Sequence, residues 1–260
     1  MATAMLQAHS FLWNYLWVGP NVLLLILGFL TWKHGLARRF PAFWTFTLLS
    51  ATGHLVLYVA DLAPSVSATN FWRVQWISLL IESVLKFAVG GEIFAHAFGT
   101  YVSIARLGKI LIRSVGVVLV LASAVAAAYT PQDGLFGIIS GTHLLEQTTN
   151  IIATGLLVFI SLFCAYFHLR LDGPLFGISL GLIVTVCVHL ATSVVDTNGV
   201  VTNQRRTVLD FIDMVAYHGS VLIWYYYLLL PHKVATKSVV PLPENNLAVW
   251  NRELERLLHS

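Results

Sequence analysis

The sequence predicts an all-α, polytopic membrane protein: a seven-transmembrane helix bundle with its N-terminus outside and its C-terminus cytoplasmic. Three observations carry this. Of 260 residues, 57% are hydrophobic and only 10% charged, against roughly 25% charged in an ordinary soluble domain, and mean hydropathy is +0.77. The apolar residues gather into seven runs separated by short polar segments, most of them near the roughly 20 residues that a crossing helix needs. The basic residues divide unevenly between alternate segments. Lys33, Arg38, Arg39, Arg106, Lys109, Arg113, Arg170, Lys233, Lys237, Arg252 and Arg256 fall on one side, and only Arg73, Arg205 and Arg206 on the other. The richer side is cytoplasmic by the positive-inside rule, which requires an odd number of crossings. Because the basic residues sit between apolar runs, the formal net charge of +3 reads as orientation and excludes nucleic acid as a partner.

The first span, 11–32, has Trp13 and Trp17 at one end and Trp32 at the other, as interfacial aromatic belts require, and Pro20 is placed to kink it. No basic residue precedes Lys33, so this run lacks the charged start of a secretory signal and reads as a retained span. The second span, 41–62, ends at Asp61 before a Pro/Ser/Ala/Thr/Asn loop. The third, 76–98, is discussed below. The fourth, 115–129, is built from small apolar residues suited to close packing and stops at the turn Thr130-Pro131-Gln132-Asp133-Gly134. The fifth, sixth and seventh are 146–169, 175–195 and 208–230, the last closed by Pro231. Residues 1–232 thus form the membrane domain. Residues 233–260 form a cytoplasmic tail whose Leu247, Trp250, Leu254, Leu257 and Leu258 make the apolar stripe of a short amphipathic helix, suited to docking on the bundle or on a cytoplasmic partner. Cys164 and Cys187 lie inside apolar runs and read as small buried hydrophobes.

The third span organises the others. At about 100° per residue, Ser78, Glu82, Lys86, Val89, Glu92 and His96 share one face, and ionisable groups at membrane depth must face protein or water. Glu82 and Lys86, at i and i+4, can pair internally. Glu92 has no basic partner at i−4 or i+3 on its own span and is the leading candidate for a functional carboxyl. Polar stripes recur on other spans: His54, Tyr58 and Asp61 on the second, Glu146, Asn150 and Thr154 on the fifth, Thr185, His189, Ser193 and Asp196 on the sixth, and Asp210, Asp213, Tyr217 and Ser220 on the seventh. Most of these fall in the outer half, so an outward-facing polar cavity is expected. The candidates for ligand or proton handling are Glu82, Lys86, Glu92, Glu146, His189 and Asp213.

Cofactor chemistry stays open. His54, His189 and His218 lie on three helices at depths where two could ligate a haem iron, although no histidine pair recurs on one helix and each of the first two fits its own polar stripe. A zinc site would need clustered histidines, and His143 with Glu146 is a fragment of one. A retinal protein needs a Schiff-base lysine in the last span, and 208–230 contains none.

Trp76-Ile77-Ser78, Phe87-Ala88-Val89 with Glu92-Ile93-Phe94, Arg106-Leu107-Gly108, Ala216-Tyr217, Ile223-Trp224 and Tyr227-Leu228-Leu229 together resemble a family of uncharacterised seven-span bacterial membrane proteins. The resemblance implies a seven-span architecture in a bacterial inner membrane and carries over no catalytic residue. More loosely, the chain resembles the seven-span sensor regions that precede bacterial histidine kinases, although no kinase domain follows Pro231. The function expected is a ligand-sensing or signalling accessory protein, non-enzymatic, held in a lipid bilayer. The alternative is a small proton-coupled transporter, followed by a haem- or metal-binding protein.

Overall fold

The computed structural model describes residues 10–99, 150–162, 172–197 and 203–230, with single positions between 106 and 148. The described residues form seven continuous helices and no strand: α1 (Phe11–Lys33), α2 (Leu36–Arg39), α3 (Pro41–Leu62), α4 (Ala68–Ala97), α5 (Asn150–Leu162), α6 (Gly173–Thr197) and α7 (Asn203–Leu229). Apart from position 117, the expected span 115–129 lies outside the described residues, as does the tail 233–260.

Local chemistry sets the helix starts. Ser10 Oγ accepts from the Trp13 N–H at 3.2 Å and begins α1; Ser67 Oγ accepts from the Asn70 N–H at 3.3 Å and begins α4. These bonds satisfy backbone donors that a helix start leaves open. Gly35 turns the chain between α1 and α2 at φ 74°, a conformation glycine adopts without a Cβ clash. Pro41 opens α3, where its missing N–H costs nothing. The helix α4 begins eight residues before the expected 76, because the polar stretch from Ala68 carries a good cap and no helix breaker. Hydropathy marks where a crossing begins, whereas hydrogen bonding decides where a helix begins.

The helices α1, α3 and α6 are long and apolar enough to cross a membrane, and large apolar side chains such as Phe29, Leu49, Val56 and Val59 face outward. The chain is a membrane protein on that ground. α4 and α7 are longer, at 30 and 27 residues, but interrupt their apolar content with Glu82, Lys86 and Glu92, and with Asp210 and Asp213.

The packing places two ends. α1 packs on α3 and α7, α3 on α4, and α6 on α7. Trp13 meets Phe211 at one level and Tyr225 OH reaches Leu23 O at another, so α1 and α7 run parallel. Gly181 lies against Trp224 and Thr192 against Asp213, so α6 runs antiparallel to α7. One end of the bundle carries the 34–40 connection, and the other carries the 63–67 loop. Towards the 34–40 end the described residues pack an apolar interior: Leu24, Leu27, Phe43, Phe46, Ile93, Ile178, Leu182, Val221 and Trp224 are all buried in one cluster. The rings of Phe43 and Phe46 stand edge-on to Trp224 at 5.2 and 6.2 Å, an arrangement favoured by the ring quadrupoles. Only the bare backbone of Gly181 lets this indole in, since a Cβ there would lie 2.3 Å from Trp224 Nε1.

Candidate functional site

The polar half lies towards the 63–67 loop and is built around Asn21. This residue follows Pro20 on α1, in a turn that the proline deprives of one N–H, and its side chain is 2% exposed. Asn21 Nδ2 donates to Trp17 O at 2.6 Å. That carbonyl can only accept, so the amide orientation is set and Oδ1 must face the other way. Oδ1 accepts from Tyr217 OH at 3.1 Å and meets His54 Nδ1 at 3.2 Å. The proton of that second contact must therefore be on His54 Nδ1. The opposite ring nitrogen, Nε2, stands 3.5 Å from Glu82 Oε2, while Glu82 Oε1 pairs with Lys86 Nζ at 3.0 Å. A single polar chain thus ties α1, α7, α3 and α4 together.

A second cluster joins α6 to α7. His189 Nδ1 lies 3.1 Å from Asp213 Oδ2, and Thr192 Oγ1 lies 2.9 and 2.8 Å from the two carboxylate oxygens. Two turns nearer the solid core, the Thr185 and Ser220 hydroxyls bond at 2.8 Å. Both clusters line one cavity of about 240 Å³, completed by Gln75 and Ser78 of α4 and Asn150 of α5. At about 30 Å³ each, that is room for roughly eight waters.

Glu82, Lys86, His189 and Asp213 are therefore brought together, with His54 beside them. Glu92 is not among them. Its two oxygens accept the Ala42 and Phe43 N–H groups of α3 at 3.0 Å each, which makes it a cap supplied in trans to the start of a neighbouring helix. His96 bonds through Nδ1 to the Glu92 backbone oxygen at 2.9 Å and packs on Phe40. His218 turns away from the cavity, its ring 5.9 Å from that of Tyr15. Glu146 lies outside the described residues. Asn21 and Gln75 were missed by sequence reasoning. A polar residue directly after a proline, in an otherwise apolar run, was the available sign of Asn21; Gln75 lies just outside the expected span.

His54 offers no free ring nitrogen to a haem iron, since Nδ1 meets Asn21 and Nε2 meets Glu82. Among the described residues no group of three or more His, Cys, Asp or Glu is placed to hold a metal ion. What the arrangement offers is a set of fixed donors and acceptors around a small polar space. Comparison with family models, with curated proteins and with solved structures gave no match.

Proposed function

We propose that this chain is a seven-span protein of a cell membrane, its amino terminus outside, that receives a small polar ligand from the outer face and reports its presence without carrying it across. One observation supports this above the others: among the described residues the polar cavity lies in one half of the bundle, and the Phe43, Phe46 and Trp224 cluster fills the interior of the other. With the basic-residue distribution setting orientation, the cavity half is the outer half.

The helix α4 provides the link. It carries Glu82 and Lys86 at the cavity, and less than two turns later it carries Glu92 on the start of α3. A ligand that alters the Glu82–Lys86 pair thereby acts on the same rigid element that grips α3 near the opposite face. The cytoplasmic tail is the natural output, either docked on the bundle or bound to a partner. A proton-coupled carrier would use the same carboxyl and imidazole groups but would have to expose them to each face in turn.

The test is a cysteine in the cavity. With Cys164 and Cys187 replaced by alanine, Ser78→Cys in intact cells and in inverted vesicles should react with a membrane-impermeant maleimide from the outer face alone. Comparable labelling from both faces would contradict the proposal.

A further inference from the structure

The cavity contains one polar group whose need is unmet. Asn150 is 2% exposed and lines the cavity, and its Nδ2 has no hydrogen-bond partner among the described residues. A buried amide donor left unpaired is costly, and in native structures such a group usually has a partner. The missing partner is an acceptor. Lys86 lines the same cavity, and of the three N–H bonds of its ammonium one is directed to Glu82 Oε1. The walls contributed by α4 and α5 therefore hold spare N–H donors beside a positive charge, with the Asn150 amide just beneath the cavity surface, and a turn of that side chain towards Lys86 would complete the pattern that receives a carboxylate.

The walls contributed by α6 and α7 are the reverse. Asp213 is the acid here, met by a hydroxyl and an imidazole. Among the described residues no lysine or arginine lies within ion-pair distance of it. An ionised carboxylate has about four acceptor positions, so an ammonium group can still add to those that Thr192 and His189 occupy. Glu82 is the weaker competitor for that ammonium, because the Lys86 ammonium already balances its charge. A simple anion would meet Asp213 unfavourably, and a simple amine would leave Asn150 and Lys86 unmatched.

We infer that the cavity binds a small zwitterion of amino-acid size, with its carboxylate at Lys86 and Asn150 and its protonated amine at Asp213. This rests on the reading of the cavity as a ligand site and names the ligand class. A space of about 240 Å³ admits a small amino acid.

The experiment is thermal unfolding of the full-length, detergent-purified protein with each proteinogenic amino acid, beside its deaminated acid and its decarboxylated amine. At a hundredfold excess over Kd, at least one amino acid should raise Tm by about 5–10 °C, with neither half-molecule doing so. Asn150→Leu should melt at or above the wild-type temperature without ligand, since it removes the unpaired amide, and should lose the ligand shift; Asp213→Asn should lose it too. The inference is overturned if no amino acid shifts the wild type, if the acid or amine alone matches the intact compound, or if Asn150→Leu keeps the shift. Such a failure leaves the one-sided labelling of Ser78→Cys intact. Two-sided labelling with a retained shift would instead make the protein a carrier of that solute.

Discussion

Replacing Glu92 with glutamine isolates the contact that ties α4 to α3. Each carboxylate oxygen accepts one backbone N–H at 3.0 Å, from Ala42 and from Phe43. Hydrogen bonds to a charged group contribute about 1.5–3 kcal/mol each, and a negative charge at a helix start adds about 0.3–1 kcal/mol. Glutamine keeps one acceptor oxygen but turns an NH₂ towards the second N–H, so one bond and the charge are lost. The cost should be about 2–4 kcal/mol. For a chain of this size that lowers Tm by on the order of 5–15 °C. Thermal unfolding followed by tryptophan fluorescence would measure it, and hydrogen exchange would locate it, with the Ala42 and Phe43 amides losing protection before the rest of α3. A Glu92→Gln protein melting within about 2 °C of wild type, with those amides still protected, would refute the capping role and return Glu92 to the list of carboxyls available for ligand or proton chemistry.

Two further perturbations probe the two halves of the bundle. In the polar half, a double-mutant cycle with Glu82→Gln and Lys86→Met should show coupling above about 1 kcal/mol, because either single change strands a charge in a site where both side chains are under 15% exposed; a coupling near zero would mean the pair contributes nothing. In the solid half, Gly181→Ala would bring a Cβ to 2.3 Å from Trp224 Nε1 and disturb the bond from that nitrogen to Ile178 O. The expected loss is about 1–3 kcal/mol with a shifted tryptophan emission, and an unchanged melt and spectrum would show that the indole is not held as described.

What could be read in the sequence follows from the range of the interactions. The bounds of α3 coincide with the expected span 41–62 because a proline at its first position and an apolar run mark them locally. The Glu82 and Lys86 pair is visible at i and i+4 because both partners sit on one helix. Glu92 looked like an unpartnered carboxyl for the opposite reason. Its partners are backbone groups some fifty residues earlier, and a backbone N–H has no letter in the sequence. Trp224 resembles any interfacial tryptophan until the approach of Gly181 shows it buried at the centre. Asn21 reads as a stray polar residue until Tyr217 and His54 arrive from two other helices.

The most direct test of a receiving, non-carrying cavity is the accessibility of Val221, one turn beyond Tyr217 towards the solid half and fully buried. Val221→Cys, in the background lacking Cys164 and Cys187, should stay unlabelled by an impermeant maleimide from either face, under conditions where Ser78→Cys reacts from outside. Labelling of Val221→Cys from the cytoplasmic face, at a rate near that of Ser78→Cys from the outer face, would show that the core opens and would contradict the account.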